Sequence, residues 1–309
     1  MKPSTSNPRE KASLIRQFSQ GSLQAYVDCP RLFQLRYLER LSWPAPEIEP
    51  SLENEHYLQR GSTFHNMAHQ LFSGVSKERL AHLAAQDVRL NQWWINFIDY
   101  YPIIDGYTLY PEISLTTPIG EHRLVAKYDL IAVKTPPVHS INEPASFGIE
   151  GEIENQDIII FDWKTSRFRP KQSWQTARLQ SRVYPYISVI AGAKLLGNQP
   201  LEPGQITMIY WFSNFPNQPM QFSYSKARFN EDETFLLGVV EEINNIQREE
   251  ELPKTTIIKR CQYCVYRSLC DRGVSAGILA DFDPDIMAEG SLDDLSLDID
   301  FEQIAEIEF

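Results

Sequence analysis

Ile158-Ile159-Ile160-Phe161 is an unbroken apolar run that passes without a turn signal into Asp162-Trp163-Lys164-Thr165. Four consecutive apolar residues cannot all face water, so the run predicts a buried strand whose end delivers a carboxylate and an amine. A strand repeats every two residues, which points Asp162 and Lys164 to one side and Trp163 to the other. The stretch from Leu124 to Val133 predicts a second strand with Asp129 inside it. Tyr107 to Thr117 alternates like a third, with Pro118-Ile119-Gly120-Glu121 as the turn that follows. Gln205 to Ser213 and Met220 to Tyr224 predict two more, separated by the Asn- and Pro-rich turn Asn214 to Pro219. Helical periodicity places Phe64, Met67, Ala68, Leu71 and Phe72 on one stripe of a helix over 59–72. A second helix is predicted over 173–187, and a third over 229–250, with Phe235, Leu236, Val239, Val240, Ile243 and Ile246 on its buried face. Trp93, Trp94, Phe97, Tyr100 and Tyr101 follow helical spacing in part and are read as core ahead of base stacking.

Polar residues placed against this pattern supply the candidate chemistry. An isolated D-x-K is either a surface pair in the turn after a strand or a rim site that holds a divalent cation and orients a water. Asp129 lies among apolar neighbours, where an ionised carboxylate costs several kcal/mol unless it is paired, hydrogen-bonded or on a metal. Its partner is a Lys or Arg, or a cation shared with Asp162, since two bare carboxylates repel. His65 and His69 stand one turn apart on their helix, but Asn66 sits where a metalloprotease needs its general-base Glu. Gln180 and Tyr184 share a face at i and i+4, as do Arg178 and Arg182, and such a helix offers donors to a phosphodiester.

The four cysteines form an independent group. Cys261, Cys264 and Cys270 make C-x2-C-x5-C, and Cys29 stands far upstream in Val27-Asp28-Cys29-Pro30. Four thiols with none left over suit one tetrahedral zinc or one iron-sulfur cluster, which would clasp the two ends of a domain together. A disulfide framework fits poorly, because Met1 to Arg16 has no apolar signal core.

In this order, the Ser-rich start with Cys-Pro (Ser19 to Pro30), G-x3-H (Gly61, His65), the strand Asp129, D-x-K-T (Asp162 to Thr165), Q-x3-Y (Gln180, Tyr184) and the cysteine trio resemble the RecB-like branch of the PD-(D/E)xK nuclease superfamily. The likeness is to its iron-sulfur members, which include CRISPR-adaptation and AddB-type nucleases, and it runs from about Phe18 to Arg272. The resemblance implies an α/β fold, a restriction-endonuclease-like mixed sheet core flanked by helices, with a helical iron-sulfur cap. It implies a Mg2+ or Mn2+ ion held by His65, Asp129, Asp162 and the backbone carbonyl of Trp163. Lys164 would position the attacking water and stabilise transition-state charge. Gln180 and Tyr184 would hold the nucleic acid or the lysine. Cys29, Cys261, Cys264 and Cys270 would ligate a 4Fe-4S cluster. The expected activity is a metal-dependent deoxyribonuclease acting as an exonuclease on single-stranded DNA, in DNA repair and recombination or in CRISPR adaptation. The alternatives are an inactive nucleic-acid-binding or structural subunit of a repair complex, and a zinc-clasped protein without a nucleic-acid role.

Three departures accompany the likeness. Ala126 stands where relatives have Gly, a long connection from Thr135 to Gln156 with three prolines separates the two acidic strands, and no G-x4-G-K-[ST] motor signature is present. Glu112 occupies a position where an acid could extend the metal site or pair with a base, and a supporting role is expected.

Net charge changes the picture only at the C terminus. The chain carries 29 Lys and Arg against 41 Asp and Glu, for −12. Eleven of those acids fall between Asp281 and Phe309, which leaves residues 1–280 close to neutral and removes the objection that the protein would repel DNA. The tail interleaves acids with Phe282, Ile286, Leu292, Leu295, Leu297, Ile299, Phe301, Ile304, Ile307 and Phe309, the pattern of an interaction tail for a protein partner or for the protein's own basic groove. No apolar run approaches the ~20 residues of a membrane span, and thiols reserved for a cluster fit the cytoplasm. The expected organisation is an N-terminal tail over 1–17, one nuclease domain over 18–274 and an acidic-hydrophobic tail over 275–309.

Overall fold

The computed structural model describes residues 16–43, 45–100, 106–134, 157–246 and 250–278. The predicted connection from 135 to 156, Tyr101, and most of both predicted tails lie outside the described residues.

A short strand β1 (Gln17–Ser19) runs directly into α1 (Gln20–Asp28). Ser19 and Ser22 cap that helix reciprocally, each hydroxyl accepting the other's backbone N–H. Pro30 opens α2 (Pro30–Phe33) in the first turn, where a backbone N–H has no intrahelical partner to lose. Then come β2 (Ile48–Glu49), α3 (Ser51–Phe72), α4 (Lys77–Ala84) and α5 (Val88–Tyr100). The strands β3 (Tyr107–Pro111), β4 (Ser114–Ile119), β5 (His122–Lys127), β6 (Leu130–Lys134) and β7 (Ile158–Lys164) follow. After them lie α6 (Gln172–Ala177), α7 (Gln180–Ala191), β8 (Ile206–Phe212), β9 (Met220–Ser223), α8 (Lys226–Asn244), α9 (Ile258–Cys261) and β10 (Gly277–Ile278).

A five-stranded sheet runs in the order β3-β6-β7-β8-β9, with β7 and β8 parallel and the other pairs antiparallel. A three-stranded sheet has the order β1-β5-β4, and β10 pairs with β2. Both β7 and β8 are buried at every position, as central strands covered on both faces must be. One face presents Ile158, Ile160, Met208 and Tyr210 to a core that includes Val183 and Ile187 of α7 and Leu236 and Val240 of α8. The opposite face presents Ile159, Phe161, Trp163 and Trp211 to Tyr57 and Phe64 of α3 and to Trp93 and Phe97 of α5. The architecture is thus mixed α/β with helices on both faces of a mixed sheet, and the Trp93 group is core.

Three predicted elements are broken in the structure, each by a tertiary contact. Tyr107 to Thr117 divides into β3 and β4 at Glu112, whose φ of +51° turns the chain; Glu112 forms an ion pair with Lys127. Leu124 to Val133 divides at Tyr128 and Asp129, because β5 pairs with β1 and β4 while β6 pairs with β3 and β7. Asp129 therefore stands at the passage from one sheet to the other and not inside a strand. The predicted helix over 173–187 divides at Arg178, whose backbone is extended. This places Arg178 outside any helix, so it does not share a helical face with Arg182; Arg178 lies over the Trp174 ring and Arg182 pairs with Asp232.

Candidate active site

Strand alternation along β7 sends Asp162 and Lys164 to the α7 face while Trp163 packs into the aromatic core behind. Asp162 is 2% exposed and Lys164 3%. Their charged atoms lie 3.0 Å apart. Burial raises the carboxyl of Asp162 to about 6, and the neighbouring ammonium of Lys164 limits that rise. The register of β7 on β8 sets Tyr210 opposite Asp162, with the Tyr210 ring 5.8 Å from Lys164 Nζ.

α7 delivers Gln180, whose Nε2 donates to Asp162 Oδ1 at 2.6 Å. The break before α7 makes this reach possible. Leu179 N–H donates to Gln24 Oε1 of α1 at 3.2 Å, and Ser181 Oγ bonds Gln175 O and the Tyr210 hydroxyl. Tyr184, one turn later, packs its ring on Tyr128 at 4.7 Å and accepts the Tyr128 hydroxyl at its carbonyl.

From the opposite face, α3 brings His65 over the end of the sheet. Its Nδ1 lies 3.1 Å from Asp129 Oδ1. The second oxygen of Asp129 accepts the Trp163 N–H at 2.7 Å. Antiparallel pairing of β6 with β7 ends at Leu130 opposite Phe161, so the carboxylate supplies an acceptor that the backbone no longer provides. Burial alone would raise the Asp129 carboxyl, but the His65 charge and these bonds hold it below the usual range. For His65, burial opposes the charge and Asp129 more than restores it, leaving the imidazole raised. α3 approaches closely because Gly61 has no side chain: a Cβ there would sit 2.8 Å from Thr165 Oγ1.

His65 and Asp129 form one contact pair and Asp162, Lys164 and Gln180 another group, and the Trp163 amide, bonded to Asp129, joins the two. Among the described residues no group of three or more His, Cys, Asp or Glu is arranged to hold a metal ion. The donor chemistry nevertheless suits a hard divalent cation, with two carboxylates, an imidazole and the buried Gln180 Oε1, which has no hydrogen-bond partner. Tyr210 and Gln24 were not legible in sequence, since each reaches the site through pairing or packing with a distant element.

The cysteines sit apart from this site and are free thiols. The segment around Cys29 is stitched to the end of the fold by Arg31 N–H to Pro253 O, Gln34 Nε2 to Glu250 O, and Arg260 to Asp28. Thr255 N–H points at Cys29 Sγ at 3.3 Å. Burial pushes the thiols of Cys261, Cys264 and Cys270 up, and the proximity of Cys29 adds to each.

The family model of the PD-(D/E)XK nuclease superfamily matches residues 17–271. Among solved structures, that of a candidate exonuclease from Eubacterium rectale is 9% identical, with 85% of this chain and 91% of that one covered and a TM-score of 0.41. The crystal structure of SSO0001 is 11% identical, with 82% and 85% covered and a TM-score of 0.35. No curated protein matches the sequence.

Proposed function

Because the chain belongs to the PD-(D/E)XK nuclease superfamily, we propose that it is a metal-dependent deoxyribonuclease, an exonuclease acting on single-stranded DNA in repair or CRISPR adaptation. The observation that carries this reading is the buried Asp162–Lys164 pair, 3.0 Å apart at the end of the central strand. A buried pair of this kind is a poor way to gain stability and a direct way to place an ammonium beside a carboxylate that can take a cation.

Nucleases of this superfamily generally use Mg2+ or Mn2+, and here His65, Asp129, Asp162 and the Trp163 carbonyl would hold the ion, which when bound supplies Lewis-acid polarisation of the phosphoryl oxygen. Lys164 donates a hydrogen bond to the attacking water and balances charge that grows on the phosphoryl oxygens. Gln180 holds Asp162 in place through its amide, and Asp129 holds the backbone of Trp163. Burial of these groups strengthens each electrostatic contact.

The same reading assigns a 4Fe-4S cluster to Cys29, Cys261, Cys264 and Cys270 in a RecB-like, iron-sulfur branch, and places the protein in the cytoplasm. Four free thiols at two stitched chain ends support it. The acidic stretch from Asp281 to Phe309, outside the described residues, is assigned to docking a protein partner.

The test is an assay of the anaerobically purified protein on end-labelled single-stranded DNA, duplex DNA and RNA with Mn2+ or Mg2+, beside Lys164→Ala. Metal-dependent products on single-stranded DNA from the wild type alone support the proposal. Tight DNA binding without products transfers the reading to an inactive binding subunit. Iron and labile sulfide in the purified protein support the cluster, and one zinc per chain in their place overturns it.

A further inference from the structure

Beyond the catalytic pair, the loop that leaves β7 carries Arg167 three residues after Lys164. Its side chain is 11% exposed, and its Nε and Nη2 are buried without a hydrogen-bond partner. Buried donors in folded proteins are nearly always satisfied by a protein group, a water or a ligand. The Arg167 guanidinium lies 4.1 Å from the Tyr57 ring centroid, and Arg89 lies over the same ring at 5.5 Å. Burial, and then the charges of Arg89 and Arg60, hold Arg167 below its usual value after the opposing effects of Tyr57 and Glu53. The nearby carboxylates are Asp87, which is taken by Arg60 at 2.6 Å and by the first amides of α5, and exposed Glu53, 3.6 Å from Arg167 Nη1. Three guanidiniums thus face two carboxylates, and the one most deeply placed has donors to spare.

The platform is fixed to the catalytic strand. The Tyr57 hydroxyl donates to the Thr165 carbonyl, and Asn214 Nδ2 bonds both the Tyr57 hydroxyl and Ser166 O. Three residues span at most roughly 10 Å of backbone, so the loop that carries Arg167 leaves directly from the strand end that bears Lys164.

We propose that Arg167, with Arg89 and the Tyr57 ring, is a binding subsite for a phosphate group of the nucleic-acid strand next to the phosphodiester at Lys164. A planar guanidinium with two free donors suits the fork of phosphate oxygens, which an ammonium does not reproduce. The phosphate is either a terminal 5′-phosphate or an internal one. The inference rests on the nuclease reading and sharpens its substrate.

The experiment is fluorescence anisotropy in EDTA, which stops turnover, with 3′-labelled single strands bearing a 5′-phosphate or a 5′-hydroxyl. Wild type is compared with Arg167→Ala, Arg167→Lys, Arg89→Ala and Glu53→Gln over a salt series, and each variant's fold is checked by circular dichroism. Arg167→Ala should weaken binding about tenfold or more and flatten the slope of log K against log salt by about 0.7. Arg167→Lys should keep the slope and lose part of the affinity, Arg89→Ala should weaken binding, and Glu53→Gln should tighten it. A loss larger on the 5′-phosphate strand assigns the terminal group, and an equal loss assigns an internal one. Wild-type affinity and slope in both folded Arg167→Ala and Arg89→Ala overturn the subsite; should Arg167→Ala fail to fold, an unchanged slope in Arg89→Ala overturns it alone. If the wild type cleaves DNA while these variants bind normally, only the subsite falls, whereas a wild type that neither binds nor cleaves removes the nuclease reading as well.

Discussion

Asp129 accepts the backbone N–H of Trp163 at 2.7 Å, which ties the passage between the two sheets to the strand end that carries Asp162 and Lys164. The same carboxylate faces His65 from α3 at 3.1 Å. One side chain thus holds a strand and a helix that approach the site from different layers.

Asp129→Asn keeps an acceptor for the Trp163 amide and removes the charge that His65 requires. Near wild-type folding with activity reduced at least ~100-fold is expected, as for loss of a charged group at the reacting centre. Asp129→Ala leaves a buried N–H without a partner, so about 1–3 kcal/mol of stability should be lost as well. Denaturant melts of the two variants, run side by side, check the difference; equal stability would show that the amide contact does not matter.

Removing Lys164 strands a buried carboxylate. Lys164→Met should abolish cleavage and lower the melting temperature, and the lowering should be larger at pH 8 than at pH 5. The sign follows from Asp162, whose carboxyl burial raises to about 6 in the folded protein, above its ordinary value. A raised acid contributes stability at low pH that is lost as pH rises through the folded value, and without Lys164 the largest offset to the charge is gone, leaving the Gln180 amide and the more distant His65. A pH-independent melting shift would contradict this.

A cation should reverse the pH dependence of the wild type. In EDTA, Asp162 loses its stabilising proton near pH 6, and His65, raised by Asp129, contributes stability below its ordinary value that fades as pH rises through the folded one. Binding of Mn2+ needs the deprotonated forms. The melting-temperature gain on adding Mn2+ should therefore grow from pH 5 to pH 8 and vanish in Asp162→Asn; a gain that is flat with pH, or that survives in the variant, counts against these ligands.

Gly61 tests the packing of α3 on the strand end. Ala in a helix interior normally gains roughly 0.5–1 kcal/mol over Gly. At this position the added Cβ meets Thr165 Oγ1 at 2.8 Å, so Gly61→Ala should instead destabilise, by about 1–3 kcal/mol. Combining it with Thr165→Ala should recover part of the loss, and a double-mutant cycle measures the coupling. Strict additivity would show that the two residues do not press on each other.

What local pattern could reveal, it revealed where burial alone decides structure. The apolar run 158–161 needs no partner to declare itself, and Asp162 and Lys164 follow from strand alternation. The helical stripe holding His65 is equally local. Leu124 to Val133 reads as one apolar stretch that puts Asp129 inside a strand, whereas the break there depends on pairing with two different sheets. The extended backbone at Arg178, which lets Gln180 reach Asp162, depends on Gln24, far away in sequence. Tyr57, Arg89 and Arg167 meet only after folding and carry no shared motif.

The most direct test of the account is the cleavage assay on end-labelled single-stranded DNA, with wild type and Lys164→Ala run in parallel, with and without Mn2+. Products that appear with wild type, require the cation and are absent from the folded variant are the predicted result. Cleavage retained by Lys164→Ala, or no cleavage by wild type on single-stranded DNA, duplex DNA or RNA, would contradict it.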